Sequence, residues 1–221
     1  MVYDFQTHTF YSDGSLSPVE LARRAVVRGY RAIGITDHAG PGNLEWVIER
    51  LKADCELIRR EWGIVAVPGV ELTHLPPAAI PELARRAKAL GALVVVHGET
   101  PVEPVIPGTN RAAVGCPDVD ILGHPGLLTE EEAALAAASG VFLEISARRG
   151  HSLANGHVVR VARRAGARLV LNSDAHDPAD LMTPEFARTV ALGAGLEPNE
   201  LAAVLEENPR TLLARLGYRV D

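Results

Sequence analysis

Short apolar segments alternate along this chain with segments whose apolar residues recur at helical spacing, and this alternation narrows the possible folds most strongly. Most of the apolar segments are nearly continuous runs, which is typical of parallel strands covered on both faces. The seven predicted strands are residues 2–6, 32–36, 64–70, 92–96, 119–122, 141–145 and 168–172. A series of β-then-α units predicts a distorted (βα)7 TIM-like barrel, and a doubly wound open sheet is the main alternative.

The helices between these strands carry their own start and stop signals. Ser17 and Glu20 predict a capping box, and Gly29 is expected to end the helix that follows. Thr129 and Glu132 predict a second capping box. Further predicted helices cover residues 44–62, 81–90, 156–165, 185–192 and the stretch from 199 onward, with a loop and a short helix at 98–115. No linker or internal repeat is evident, so we expect residues 1–221 to form a single domain.

The composition limits the partners that we expect. A net charge of −6 and an aromatic content of 5% argue against a broad nucleic-acid-binding surface, which needs clustered basic residues and stacking side chains. A small phosphorylated partner remains compatible, because bound cations would make its site locally positive. Cys55 and Cys116 fit no disulfide or metal-binding spacing, and neither a signal peptide nor a membrane-spanning run is evident. We therefore expect a cytoplasmic protein.

Histidine, aspartate or glutamate side chains follow six of the seven predicted strands at the points where the strands end. Because the C-terminal ends of parallel barrel strands meet on one face, residues far apart in sequence converge there. Packed carboxylates alone would repel one another, whereas Zn²⁺, Mn²⁺ or Fe²⁺ would convert the same set into a coordination shell. The predicted metal ligands are Gln6, His8, Asp13, His38, Glu71, His97, His124, Asp174 and His176.

These residues, in this order, resemble the polymerase-and-histidinol-phosphatase (PHP) family of metal-dependent phosphoesterases. The likeness covers essentially the whole chain and is strongest to short, histidinol-phosphatase-like members. The stretches 69–74, 108–113 and 150–157 support that narrower likeness. The resemblance implies a distorted seven-stranded barrel that binds two or three divalent metal ions.

The resemblance also implies a ligand set for each ion. Carried over position by position, the ligands are His8, Glu71 and Asp174 for the first ion, Glu71, His97 and His124 for the second, and Asp13, His38 and His176 for the third. The chain departs from the family at Gln6, where the opening motif His-x-His has its first histidine. An amide oxygen is a poorer ligand for zinc than imidazole, so we expect a weakened first site or a preference for Mn²⁺ or Mg²⁺.

Other side chains are predicted to act on the substrate. The predicted substrate-binding residues are Arg111, Arg148, Arg149, His74 and His151. A guanidinium could clamp a phosphate with two hydrogen bonds, and an imidazole could contact the substrate or relay a proton. Glu71, Asp174 and Arg148 are the predicted catalytic residues, and Asp37 is expected to orient a metal ligand.

The leading functional hypothesis is hydrolysis of a small phosphomonoester, with histidinol phosphate as the substrate class that the resemblance implies. A nucleotide phosphatase or nuclease of the same family is a second reading. A third is a barrel that has lost catalysis and serves as a binding protein, which the glutamine at position 6 favours. A metal-dependent C–N hydrolase on a similar barrel is a weaker alternative.

Overall fold

The computed structural model of the protein describes residues 1–220, within which strands and helices alternate as the sequence predicts. The strands are β1 Val2–Asp4, β2 Tyr30–Ile35, β3 His38–Ala39, β4 Val65–Leu72, β5 Leu93–His97, β6 Ile121–Gly123, β7 Phe142–Ser146 and β8 Leu169–Asn172. The helices are α1 Pro18–Val27, α2 Leu44–Trp62, α3 Ile80–Ala89, α4 Thr109–Val114, α5 Glu130–Ser139, α6 Asn155–Ala165, α7 Pro184–Gly193 and α8 Asn208–Arg215. Two 3₁₀ turns, Pro77–Ala79 and His151–Ala154, and a π-helical turn, Ala203–Glu207, complete the described elements.

The strands form one parallel sheet that closes almost completely into a barrel. The order is β1-β2-β4-β5-β6-β7-β8, and the two-residue strand β3 pairs with the end of β4. Beyond β1 and β8, Thr7 and Ala175 form a parallel bridge, and the His8 amide donates to the Ala175 carbonyl at 2.8 Å. The barrel prediction is confirmed, and the doubly wound open sheet is wrong because the first and last strands meet.

Apolar side chains fill one end of the barrel interior. The buried members of this cluster are Tyr3, Phe5, Ala32, Val67, Leu93, Val95, Ile121, Phe142, Val170, Leu212 and Leu213. The last two belong to α8, which therefore covers the end of the barrel where the strands begin. We call this end the base and the opposite end, where the strands finish, the mouth. A second apolar layer packs between the outer face of the sheet and the helices.

The predicted elements agree with the structure to within two residues at most boundaries, and the short helix expected at 98–115 is α4. Thr129 and Glu132 form the complete capping box, since each side chain bonds the backbone of the other residue. At α1 the Ser17 side chain caps the Glu20 amide, but the Glu20 carboxylate pairs with Arg24 instead of returning to the cap. Among the described residues, no helix is long and apolar enough to cross a bilayer.

Candidate metal centre

The period-two geometry of the strands carries polar side chains to the mouth. On β5, Leu93 and Val95 belong to the interior cluster, and His97 follows two residues further on the same face. On β4, Glu71 stands four residues beyond the interior residue Val67. The same strands that fill the base with apolar groups therefore present imidazole and carboxylate groups above them.

Glu71 lies at the centre of the mouth, completely buried. Its Oε1 is 3.1 Å from His97 Nδ1 and 3.2 Å from His124 Nε2. Its Oε2 is 2.9 Å from His38 Nδ1 and 3.5 Å from His8 Nε2. One carboxylate thus touches four imidazoles that come from four different strand ends.

A second carboxylate and a third extend this network. Asp13 Oδ1 lies 3.3 Å from both His38 Nε2 and His176 Nε2. Asp174 Oδ1 lies 3.3 Å from His8 Nε2 and 3.6 Å from His176 Nδ1. His8 therefore joins Glu71 to Asp174, and His38 joins Glu71 to Asp13.

Ligand atoms of several acidic and histidine side chains approach within 4.8 Å of one another. The described groups are His8, Asp13, His38 and His176; Glu71, His97 and His124; His74, His97 and Glu103; and His124, His151 and Asp174. The first two groups contain the ligand sets predicted for the third and second ions. His8, predicted for the first ion, also lies close enough to the Asp13 group to join it.

The carboxylates of the mouth are held in their charged form. Burial alone would raise the pKa of Glu71, but the nearby His38 and His97 lower it well below its usual range. Burial likewise opposes ionisation of Asp174, while the adjacent His8 imidazole lowers its pKa. Charged carboxylates beside imidazole nitrogens are the donor set that divalent transition metals prefer.

Several of these donor atoms are buried without a hydrogen-bond partner among the described residues. The buried atoms His8 Nε2, Glu71 Oε2 and His97 Nε2 make no well-directed hydrogen bond to any described residue. A buried polar atom without a partner costs free energy, and a cation would satisfy all three. Among the described non-glycine residues, positive φ angles occur at His74, His124 and Asp174, and all three line the mouth cavity. Such strain is typical of functional sites, and the residues present fit bound divalent cations.

Buried side chains behind the ligands fix the loops that carry them. Asp37 accepts hydrogen bonds from the Thr9 amide at 2.7 Å and from the Ser12 hydroxyl at 2.6 Å. It therefore shapes the loop between His8 and Asp13, which is the orienting role expected of it. Gly98 allows the backbone segments that follow β5 and β6 to pack against each other, because a Cβ there would lie 2.3 Å from the Gly123 carbonyl oxygen.

Glu144, on β7, lies fully buried beneath the ligands. Burial raises its pKa well above the usual range, and the nearby Asp174 raises it further. It accepts a hydrogen bond from the Asn172 amide at 2.9 Å and one from the His124 backbone at 3.3 Å. The Glu144 carboxyl group is therefore harder to ionise than the carboxylates above it, and its hydrogen bonds support the strand ends.

The Gln6 side chain presents its amide nitrogen to Glu71, whereas the sequence suggests that its amide oxygen would face the site. Its amide nitrogen donates to Glu71 Oε1 at 2.9 Å and lies 3.3 Å from His124 Nε2. Its carbonyl oxygen is buried without a hydrogen bond from the described residues. The amide nitrogen therefore faces the Glu71 carboxylate in this arrangement, and an oxygen ligand at Gln6 stays a prediction.

The predicted substrate-binding residues separate into two groups. Arg148, His74 and His151 line a mouth cavity of about 270 Å³. Arg111 lies on α4 with its side chain 66% exposed, 3.7 Å from Glu131, and does not line this cavity. Arg149 is exposed and also lies outside it. These two arginines were expected at the mouth, but their positions in α4 and after β7 turn them to the surface.

Glu103 is the site residue that sequence reasoning missed. Its two carboxylate oxygens contact three imidazoles, at 3.0 Å from His97, 3.1 Å from His74 and 3.2 Å from His151. It lies in the proline-rich stretch 98–108, which has no periodicity to relate it to a strand end. The signal available was an acidic residue between two prolines, Thr-Pro-Val-Glu-Pro, in a loop that follows a ligand-bearing strand.

No protein-family model matches the chain, but individual relatives do. An uncharacterized protein of Methanocaldococcus jannaschii is 49% identical over 98% of this chain and 100% of its own length. A probable phosphatase of Caldanaerobacter subterraneus is 31% identical over 80% of this chain and 76% of its own length. A ribonuclease P protein component 3 of Methanosarcina mazei is 27% identical over 96% of this chain and 89% of its own.

Solved structures agree on the fold. Archaeal ribonuclease P with mature tRNA contains a chain that matches at a TM-score of 0.71 and 16% identity, over 96% of this chain and 90% of that one. Histidinol phosphate phosphatase of Lactococcus lactis, complexed with zinc, L-histidinol and phosphate, matches at a TM-score of 0.60 and 16% identity. The match covers 89% of this chain and 94% of that one.

Fold and site together define a parallel α/β barrel with clustered side chains that could hold metal ions at the ends of its strands. With the relative named a probable phosphatase and the histidinol phosphatase neighbours, this identifies the family. The chain belongs to the polymerase-and-histidinol-phosphatase family.

Proposed function

We propose that this protein is a metal-dependent phosphatase that hydrolyses a small phosphomonoester of the histidinol phosphate type. The observation that supports this proposal most strongly is the set of buried donor atoms without hydrogen bonds around one cavity of about 270 Å³. The likeness to a probable phosphatase and to a histidinol phosphate phosphatase supports the same reaction class.

The residues that would hold cations are those predicted from the strand ends. Glu71 would share its two oxygens between neighbouring ions, because each oxygen already faces imidazoles on its own side. Asp174 and His8 stand beside it, and Asp13 would act with His38 and His176, which it contacts. When bound, such ions polarise phosphoryl oxygens and lower the pKa of an attacking water.

Arg148 would bind the phosphoryl group directly. Its Nη1 donates to the Asp174 carbonyl at 3.0 Å, and its Nε lies 3.7 Å from Asp174 Oδ2. These contacts hold the guanidinium at the cavity wall, where its remaining N–H groups can bind phosphoryl oxygens through charge-assisted hydrogen bonds. It is the only Lys or Arg among the described residues that line the cavity.

His151 and His74 would contact the rest of the substrate. Burial and the neighbouring His124 lower the pKa of His151 to about 4, so its imidazole stays neutral near pH 7. A neutral imidazole can both donate and accept a hydrogen bond, which suits contact with a leaving hydroxyl group.

The size and charge of the cavity favour a small substrate over an RNA strand. A nucleic-acid backbone needs a basic track that extends beyond one phosphate, whereas this cavity offers Arg148 and the chain carries a net charge of −6. The relatives named ribonuclease P component 3 favour a second candidate, an RNA-associated role for the same barrel. That candidate predicts salt-dependent binding of structured RNA without turnover of small phosphomonoesters.

The test is turnover of L-histidinol phosphate, AMP and a short oligonucleotide by the full chain with Mn²⁺, Zn²⁺ or Mg²⁺ added. We expect histidinol phosphate to be hydrolysed fastest. A preference for AMP or the oligonucleotide would favour the nucleotide phosphatase or nuclease reading. If no transition metal co-purifies and none restores hydrolysis of p-nitrophenyl phosphate, the barrel is a binding protein and the proposal is wrong.

A further inference from the structure

A separate cluster of side chains lies at the rim of the mouth. His74 follows β4, His97 ends β5, Glu103 lies in the next loop and His151 follows β7. Glu103 Oε2 lies 3.1 Å from His74 Nε2 and 3.0 Å from His97 Nε2, while Oε1 lies 3.2 Å from His151 Nε2. We call these four residues the rim cluster, of which the family ligand sets contain only His97.

The contact between His97 and Glu103 is short but is not a hydrogen bond. His97 Nε2 is buried and makes no well-directed hydrogen bond to a described residue, although Glu103 Oε2 lies 3.0 Å away. The two atoms therefore point past each other. Two ligands of one cation have this relationship, since each points at the ion rather than at the other ligand.

The separations also suit a common cation. Two ligands about 2.1 Å from a tetrahedral zinc ion lie about 3.4 Å apart, and Glu103 Oε2 is 3.0–3.1 Å from the two imidazole nitrogens. The other nitrogen of His97, Nδ1, lies 3.1 Å from Glu71 Oε1. The two nitrogens of His97 thus face two different groups of possible ligands, Nδ1 the group around Glu71 and Nε2 the rim cluster.

The loop that carries Glu103 is held firmly at both ends. Glu99 Oε1 accepts hydrogen bonds from the Gly108 and Asn110 amides at 2.9 Å, and Asn110 Oδ1 accepts one from the Glu99 amide at 2.9 Å. Asn110 also donates to the Pro125 carbonyl at 2.8 Å. These bonds, with the prolines on either side of the segment, place the Glu103 carboxylate over the rim.

His74 is held in a backbone conformation that few residues adopt. Its φ of +51° lies in the left-handed region, and its ring lies 4.7 Å from that of His97 between centroids. Strain of this kind persists where the surrounding structure requires a side chain in a particular direction.

We propose that His74 Nε2, His97 Nε2 and Glu103 Oε2 bind a divalent transition-metal ion at the rim, in addition to the ions expected around Glu71, the second of which His97 would face through Nδ1. His151 binds the other carboxylate oxygen and orients Glu103. The site does not depend on the phosphatase activity proposed above, because it is defined by binding alone.

The test counts Zn²⁺ ions on the full chain by elemental analysis after equilibrium dialysis, with Co²⁺ absorption as a second measure of ligand geometry. Glu103→Gln keeps the side-chain shape, and His74→Asn suits the left-handed backbone, because asparagine tolerates that region best among non-glycine residues. Glu131→Gln, on exposed α5, is the matched control. Far-ultraviolet circular dichroism checks that each variant folds.

We expect both rim variants to bind one ion fewer than the wild type, or to bind it at least about tenfold more weakly, while the control binds as the wild type does. An unchanged number and affinity of ions in Glu103→Gln and His74→Asn would overturn the proposal. So would loss of every ion in either variant, because the rim would then not be separate. Hydrolysis of p-nitrophenyl phosphate by the wild type, measured in parallel, tests the proposed function independently of the ion count.

Discussion

The base and the mouth of the barrel are built from the same strands but from opposite kinds of side chain. On β5, Leu93 and Val95 lie in the apolar base, and His97 lies in the mouth. On β7, Phe142 fills the base and Glu144 is buried beneath the metal ligands. Two residues along a strand, a distance of about 7 Å, thus separate a close-packed core from a cluster of ionisable groups.

The difference between the two ends separates stability from function. Burying an apolar side chain at the base stabilises the fold by about 1.5–3 kcal/mol. Burying a carboxylate or an imidazole at the mouth costs desolvation energy, which neighbouring charges and bound cations must offset. Substitutions at the base are therefore expected to change the free energy of unfolding, and those at the mouth to change metal binding and catalysis.

The largest expected effect is at Glu71. Glu71→Gln keeps the shape of the side chain but removes the charge that faces four imidazoles. We expect kcat/KM for p-nitrophenyl phosphate to fall on the order of 10³-fold, since groups that stabilise transition-state charge have effects of this size, and bound metal to fall with it. Glu185→Gln, on the exposed surface, is the control. Activity of Glu71→Gln within a few-fold of that control would contradict the assignment.

The corresponding substitution at the base is Phe142→Ala. Phe142 is fully buried in the interior cluster, so its truncation should lower the free energy of unfolding by about 3–5 kcal/mol. Urea unfolding monitored by circular dichroism measures this change. Below the unfolding transition, the variant should still bind metal with the wild-type stoichiometry. A variant that is folded but has lost its metal would show that base and mouth are not separable.

Metal removal should act on the mouth alone. A cation present at about one hundred times its Kd adds about 2.7 kcal/mol to the free energy of unfolding, so a chelator should lower the Tm of the wild type. Phe142→Ala should lose a similar amount on chelation, because its mouth is intact. Glu71→Gln should lose much less. Equal chelator effects in the wild type and Glu71→Gln would place the stabilising cation elsewhere.

The smallest expected effect is at Gln6. Gln6→His restores the imidazole of the family motif in place of an amide that donates to Glu71. We expect affinity for Zn²⁺ to rise by up to about tenfold and activity to be unchanged or higher. Isothermal titration with Zn²⁺ measures the change. A fall in both affinity and activity would mean that the amide hydrogen bond to Glu71 is required.

The fold was predictable from sequence because most strands are nearly continuous apolar runs and the helices show helical spacing and capping residues; the two-residue strand β3 gave no such signal. The strand-end ligands His38, His124 and Asp174 followed from the same reasoning, since parallel strands bring their C-terminal ends together. The positions of these side chains in the structure agree with that expectation. Periodicity was therefore sufficient to place these three candidate ligands at the mouth.

What lies on loops was not predictable in the same way. Glu103 approaches three imidazoles because Glu99 and Asn110 hold its loop in place, and these contacts leave no periodic signal. Arg111 was expected at the mouth, but α4 turns it toward Glu131 instead. The direction of the Gln6 amide depends on the Glu71 carboxylate beside it, a contact between residues 65 positions apart in the chain.

The most direct measurement is anomalous diffraction at the zinc absorption edge from crystals of the full chain grown with Zn²⁺. The account predicts strong peaks at the mouth of the barrel, at least one of them within coordination distance of Glu71 and His124. Anomalous peaks confined to the outer surface, with Glu71 hydrogen-bonded only to imidazoles, would contradict it.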